Sequence, residues 1–306
     1  MARIDTLGNF LTDVATAIKN KTGKTEPIKP TNFDAEIASI ESGGSSGKYA
    51  PRYIRFTSYS GEDLDYELSN LDFSSLTSLA AIFSSCKNLK TVTVPSGNCP
   101  NVQNMNSMFS NCTNLETIVF SELTVPNVTT LNSIFDSCTN LKTVDMYGLK
   151  FNGSVDTSFK SMFAGRSNLT SVILPQNCAS IKDMSYMFEN CTGLTNLKLK
   201  GNPTKSGKNF EYMFSKCSNL THLDLSEFTV NVYGAQNVVG MFASCTSLQH
   251  LDVSGITFNT ISGSFITNML NGVPTTCEII VKNDTDKSWF NSNFSKYTNV
   301  KTKAEV

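Results

Sequence analysis

The only two histidines of the 306-residue chain stand in identical contexts, His222-Leu223-Asp224 and His250-Leu251-Asp252. Neutral imidazoles beside carboxylates are side chains that can hold a divalent cation or a ligand hydroxyl. If the two tripeptides are neighbouring strands ~4.8 Å apart, the four groups form a polar square on one sheet surface. The alternative is that they are solvated rungs of that sheet. The residues favour this over a metal site, which leaves the square as a candidate ligand patch. The nine cysteines offer less. Thiolate metal sites need paired spacing such as C-x-x-C, which never occurs, and an odd count argues against a disulfide framework. Catalytic signatures also fail. Gly23-Lys24-Thr25 has Ile18 where a phosphate loop needs its first glycine, and Ser84-x-x-Lys87 arises only from a repeat whose other copies read differently. A non-enzymatic chain with neither cofactor nor metal is the expectation.

The element that must position these residues is a repeat. The pairs Ile82-Phe83, Met108-Phe109, Ile134-Phe135, Met162-Phe163, Met187-Phe188, Met213-Phe214, Met241-Phe242 and Met269-Leu270 recur every 25 to 28 residues. Four positions before each second residue the chain is apolar (Leu79, Met105, Leu131, Phe159). Three after it stand Cys86, Cys112, Cys138, Arg166, Cys191, Cys217, Cys245 and Val273. This i, i+3, i+4, i+7 stripe predicts one helical face of about two turns. The residue before the stripe (Ser78, Asn104, Thr130, Ser158, Asp183, Asn209 or Asn237) is of a type that caps a helix start. Asn88, Asn114, Asn140, Asn168, Gly193 and Asn219 follow where a helix would end in the left-handed conformation. Leu-x-x-apolar-x-apolar then reads as a short strand. Cys99 and Cys178 share a further position that Val125 and Val232 fill in other units, so these cysteines read as small apolar fillers.

The predicted fold is therefore an α/β repeat solenoid, a stack of short helix plus short parallel strand whose apolar positions merge into one spine. A unit this small cannot hold together alone. Arg166 in the cysteine series should kink the spine or send its guanidinium outward. The strand face presents small polar groups, among them Thr91, Thr93, Thr117, Thr143, Asp145, Ser171, Asn196 and Lys198, together with the His/Asp square. Asp145, Asn196, Lys198, His222, Asp224, His250 and Asp252 are its candidate ligand-binding residues, and Tyr147 is its one aromatic platform. Residues 49–282 are expected to form the solenoid with its N-terminal cap, including a covering strand at 53–56 and the half-motif Leu68-x-x-Leu71-x-Phe73. Residues 283–306 are expected to form a C-terminal cap, because Phe290, Phe294 and Tyr297 fall at helical spacing beside Trp289.

Upstream, residues 1–42 carry two short amphipathic runs, joined to the solenoid by a Gly/Ser linker at 43–48. Leu7, Phe10, Leu11, Val14 and Ile18 share one face of the first run, a helical attachment or oligomerisation segment. A net charge of −1 gives no electrostatic ground for a nucleic-acid partner. No stretch approaches the ~20 apolar residues that cross a bilayer, so membrane insertion is not expected. The opening residues lack a secretory pattern, so the chain is expected to be made and kept in a cytoplasm unless released by lysis.

Stretches such as NVQNMNSMFSNCTNLETIVF and FEYMFSKCSNLTHLDLSEFTV resemble the BspA-type leucine-rich repeat, and more closely the 26-residue repeat of bacterial surface proteins. The resemblance covers about residues 64–282. It implies a leucine-rich-repeat-like stack and a non-enzymatic interaction surface, with the strand face as binding side. TLGNFLTDVATAIKNKTG and IKPTNFDAEIASI resemble the opening segment of tail-fibre and other structural proteins of phages infecting Gram-positive hosts. That resemblance implies a virion structural protein as partner of the leader, or self-association into a homo-oligomer. It also implies a host-surface glycan or protein as partner of the solenoid, and residence on a virion acting at the bacterial cell surface. A structural decoration of the virion and a bacterial adhesin are the competing readings.

Overall fold

The structure, a computed structural model, describes residues 66–67, 76–87, 89–94, 96–151, 157–175, 181–199, 201–204, 209–230 and 237–306. The leader with Leu7, Phe10, Leu11, Val14 and Ile18 lies outside them. So do Gly23 to Thr25, the 43–48 linker, residues 53–56, the 68–73 half-motif, Asn88 and Cys178.

Each repeat is one coil of a parallel solenoid, and its Leu-x-x-apolar-x-apolar segment is a strand. Tyr66–Glu67, Thr91–Val94, Thr117–Phe120, Thr143–Asp145 and Ser171–Ile173 form one five-stranded parallel sheet. Asn196–Lys198, His222–Asp224, His250–Asp252, Glu278–Val281 and Val300–Thr302 form a second. The register stacks inward residues on inward residues, Val92 on Ile118, Val144 and Val172 in the first sheet. In the second sheet Leu197, Leu223, Leu251, Ile279 and Val300 align in the same way. All of these are buried in one continuous core. Shorter strands, such as Gly97–Asn98, Leu123–Thr124 and Leu149–Lys150, add a further parallel ladder.

The apolar stripe predicted as a two-turn helix is a run of tight turns instead. Two residues in every coil, two before and two after the central Phe, have positive φ: Ser107 at 54° and Asn111 at 60°, Ser133 at 52° and Ser137 at 58°, Tyr212 at 52° and Lys216 at 62°. No α-helix continues through a left-handed residue. The amides accordingly divide. Ile82, Ser84 and Cys86 each donate to a carbonyl three residues back, whereas Leu79, Ala81, Phe83 and Ser85 donate across to Asn104, Asn106, Met108 and Ser110 of the next coil, at 2.7–3.0 Å. A helix would have spent all these amides within itself. Four-residue turns still bring i, i+3, i+4 and i+7 to the same side, so the buried stripe stands although the helix does not. The predicted cap residues keep their chemistry in this setting. Asn104 Oδ1 accepts from the amide of Asn106 at 2.8 Å, and Asp183 Oδ1 from that of Ser185 at 2.9 Å. Asn114, Asn140, Asn168 and Asn219, expected to be left-handed, are not; Asn168 and Asn219 donate from Nδ2 to Thr139 and Thr192 carbonyls of the preceding coil.

The central phenylalanines form a column. Neighbouring rings from Phe83 through Phe109, Phe135, Phe163, Phe188 and Phe214 to Phe242 lie 5.0–5.9 Å apart, with planes within 19° of parallel. Beside it runs a second series that gives the cysteines a reason beyond size. The thiols of Cys112, Cys138, Cys191, Cys217 and Cys245 each donate, at 3.0–3.1 Å, to the carbonyl of the central Phe one coil earlier. Burial pushes the thiols of Cys191 and Cys245 well up, and that of Cys217 to about 12, so they remain protonated donors. Arg166 neither kinks the column nor points outward. It is buried, its Nη1 donates to the Phe135 carbonyl at 2.8 Å, the bond a thiol makes elsewhere, and its Nη2 lies 3.9 Å from Asp136.

The two sheets part between Ser171–Ile173 and Asn196–Lys198, where the repeat has its shortest spacing, Phe163 to Phe188. Gly193 allows a close approach there, since a Cβ would sit 2.4 Å from the Ser167 carbonyl oxygen. The turn side stays joined, with Phe163 N–H on Met187 O and Gly165 N–H on Glu189 O. At the C-terminal end the helix Asp284–Asn293 packs Trp289 and Phe290 on Phe258. Asp286, wholly buried, accepts from the amides of Phe258 and Asn259.

Two stability outcomes follow from this packing. Phe163→Ala should cost about 3–5 kcal/mol in urea unfolding, while Tyr147→Ala, on the surface, should stay within about 0.5 kcal/mol of the parent. Arg166→Cys should melt near the parent temperature because a thiol replaces the lost donor. Arg166→Ala, which leaves the Phe135 carbonyl with only the Cys138 amide as donor, should cost about 1–3 kcal/mol.

Candidate functional site

Alternate strand residues point outward and pair in register, which sorts the seven candidate residues into rows. Asn196, His222, His250 and Glu278 form one row; Lys198, Asp224 and Asp252 form the adjacent one. Asp145 belongs to the other sheet, paired with Val119 on one side and Ile173 on the other.

The imidazoles of His222 and His250 do come together, stacked at 4.6 Å with planes 21° apart. The expected square, however, resolves into separate groups. Asp224 Oδ1 accepts from Ser226 N–H and Oγ–H at 2.8 and 2.6 Å, and its Oδ2 faces Lys198 Nζ at 2.7 Å. Partial burial works against the charge of Asp224, but the hydrogen bonds from Lys198 and Ser226 outweigh it and hold the carboxyl below its usual range. Hydrogen bonds to Asp224 and to a second carboxylate, Glu227 at 2.9 Å, push Lys198 upward. Asp252 repeats the turn with Ser254 N–H and Oγ–H at 2.9 and 2.6 Å and pairs with Lys303 at 2.8 Å. Asp145 also closes a turn, accepting from Tyr147 N–H at 2.9 Å. These aspartates therefore end strands. The carboxylate that reaches an imidazole is Glu278, whose Oε2 lies 2.9 Å from His250 Nδ1 while Oε1 faces Lys301. Hydrogen bonds from Lys301 and then His250 hold Glu278 below its ordinary value. Sequence reasoning missed Glu278, Lys301 and Lys303. Glu278 occupies the histidine position of the following unit, but that unit has lost the leucine that marks the register, and the lysines come from beyond the repeats.

The face is thus divided. Its C-terminal half is charged and neutralised internally. Its N-terminal half is hydroxyl-bearing, with Thr143 Oγ1 donating to Thr117 Oγ1 at 3.0 Å, and two apolar side chains stand out from it. Tyr147 is 54 % exposed and Ile173 47 %, against a core whose members are near zero. Asn196 Oδ1 lies 3.3 Å from Thr221 Oγ1, at the edge of the second sheet. The Ser84 hydroxyl sits in a ladder with that of Ser110 at 2.8 Å. Among the described residues no three His, Cys, Asp or Glu side chains converge, and no helix is long and apolar enough to cross a membrane.

Coils of short parallel strand, stacked about a buried leucine and phenylalanine spine, define a repeat solenoid of leucine-rich-repeat type. Residues 55–171 and 157–282 match the family described as "Mycoplasma protein of unknown function, DUF285", and the chain belongs to that family. No curated protein matches it. Among solved structures it is similar to the chain in a TLR13–ssRNA13 complex, at 18 % identity over 76 % of this chain with a TM-score of 0.36. The present chain spans 36 % of that one. It is also similar to a leucine-rich cell surface protein from Faecalibacterium prausnitzii A2-165, at 15 % identity over 75 % of this chain and 77 % of that one (TM-score 0.24). The leucine-rich repeat domain of the type III effector XopL matches at 14 % identity over 92 % and 97 % of the two chains (TM-score 0.24).

The depressed carboxylates predict acid sensitivity. Glu278, Asp224 and Glu305, the last held near 2 by Lys287 and the Thr302 amide, have lower values folded than unfolded. Their stabilisation is complete above the unfolded range near 4 and is lost as pH falls through the folded values. Thermal melts should hold steady from pH 7 to about 5 and drop between about pH 4 and 2. Glu278→Gln should flatten part of that drop.

Proposed function

We propose that the chain is a non-enzymatic recognition module of a phage virion, associated with tail, baseplate or fibre, whose solenoid binds a host-surface protein or glycan. The leader attaches it to a virion structural protein or to further copies of itself, and it acts at the bacterial cell surface. The resemblance of residues 6–23 and 28–40 to phage structural proteins supports the virion assignment. The binding assignment rests on one observation, the N-terminal half of the strand face, where Tyr147 and Ile173 stand exposed among threonine hydroxyls. An exposed aromatic and an exposed branched aliphatic beside Asp145 and rows of hydroxyl groups match the centre and polar surround of a protein-binding patch, and this favours a protein over a sugar. The charged half is already paired within the chain, so recruiting it would cost the ion pairs it holds.

Retention of the full chain on cell walls from Gram-positive bacteria, with surface proteins present or stripped by protease, tests this reading. Tyr147→Ser with Ile173→Ser should weaken retention about tenfold or more at an unchanged melting temperature. Lys198→Ala should alter it less than about twofold. Equal retention of the Tyr147/Ile173 variant and the parent would remove this patch as the binding surface.

A further inference from the structure

The split between the two sheets says in what form a partner meets the strand face. We infer that an extended segment of another protein enters there as an added parallel strand, between Ser171–Ile173 and Asn196–Lys198. This rests on the Tyr147 and Ile173 patch being protein-binding, since Ile173 belongs to the strand that borders the split.

Backbone groups on both sides of the split lack the partners that their counterparts hold. In the coil before it, the Lys142 carbonyl accepts from the amides of Thr170 and Ser171, and the Met146 amide donates to the Ile173 carbonyl. In the coil after it, the Thr195 carbonyl accepts from Thr221 and His222, and the Leu199 amide donates to Asp224. The equivalent groups at the split are the Thr170 carbonyl and Leu174 amide on one edge. On the other they are the Thr195 and Asn196 amides and the Lys198 carbonyl. Among the described residues no backbone bond joins these two edges. Such a row of unmet donors and acceptors is a template for a further strand.

The split is open as well as unpaired. Cα atoms of the two facing strands are mostly more than 8 Å apart, against ~4.8 Å between paired strands. Val172 and Leu197, the inward residues at the two edges, keep 7 % and 6 % exposure, while Val144 and Leu223, one coil farther from it, keep 2 % and 1 %. Because the turn side stays bonded, the gap faces the strand side, and the close approach of Gly193 to the Ser167 carbonyl narrows it before the strands begin. A folded surface cannot enter so narrow an opening, whereas one extended segment can. Its backbone would pair with both edges, and its side chains would alternate, one toward Val172 and Leu197 and the next beside Ile173. Small β-branched residues suit the inward positions.

A synthetic peptide with the sequence of residues 89–96, Leu-Lys-Thr-Val-Thr-Val-Pro-Ser, is a suitable probe, because the same strand already stacks in this ladder within the chain. Added to the full chain up to about 1 mM, it should slow exchange of the Leu174 and Asn196 amides about tenfold or more. The same peptide N-methylated at both valines keeps its side chains, loses two backbone donors and should give no protection. Asn196→Pro, at the first residue of an edge strand, removes one amide of the template and should weaken peptide binding about tenfold or more. Asn196→Ala keeps that amide and should bind like the parent. Unchanged exchange at both amides with the unmethylated peptide, or equal protection by the methylated one, would overturn strand insertion. Loss of cell-wall retention in the Tyr147→Ser, Ile173→Ser variant would then leave the patch standing as a surface for a folded protein. Protection by the peptide together with parent-like retention of that variant would instead remove the patch reading and keep the insertion site.

Discussion

Each coil of this protein holds the next through its own backbone. Paired left-handed residues flank every central phenylalanine, and between them alternate amides swing out of the coil and into the following one. Left-handed geometry costs a non-glycine residue on the order of 1 kcal/mol. That cost is offset by inter-coil hydrogen bonds worth about 1 kcal/mol each and by burial of the side chains the turns point inward. Phenylalanine rings, thiols and strand ladders all inherit their register from this linkage. Even where the strand sheet divides between Ile173 and Asn196, the turn side carries the stack through. Gly240 shows how tight the arrangement is: a Cβ there would stand 2.3 Å from the ring of Tyr212.

The recurring cysteine follows from the same geometry. The central Phe carbonyl already accepts the amide three residues on, and its second lone pair faces the next coil inside an apolar core. A group placed there must be small, apolar in bulk and still able to donate weakly, and a thiol meets all three conditions. Arg166 meets the last by a longer reach and keeps its charge near Asp136. Position in the stack also decides what the outer surface can do. Rows of like side chains a strand apart let charges neutralise one another across coils, and in the C-terminal half they do. Where the rows are threonine, serine, Val119, Asp145 and Ile173, the described side chains of those rows form no ion pair across the coils.

Much of this was legible in the sequence. The spacing of the Phe residues foretold a column, and period-2 alternation foretold the strands and the pairing of His222 with His250. The helix failed because the i, i+3, i+4, i+7 stripe is shared by helices and by chained turns. The distinguishing signal was the small polar residues Ser107, Asn111, Ser133 and Ser137, whose tolerance for positive φ separates the two; Tyr186, Tyr212 and Lys216 at equivalent positions hide it. The site was less legible than the fold. Aspartates at strand ends resemble ligands until their i+2 amides are located. Lys303 reaches Asp252 across 51 residues of sequence, a distance that no local pattern bridges.

Amide hydrogen exchange followed residue by residue tests the backbone linkage most directly. The amides of Phe83, Phe109, Phe163, Phe188, Phe214 and Phe242, each bonded to the following coil, should exchange only through unfolding that spans several coils. Their protection should be uniform along the stack and among the highest in the chain. Fast or unequal exchange at these six amides, with protection confined to the strands, would contradict it.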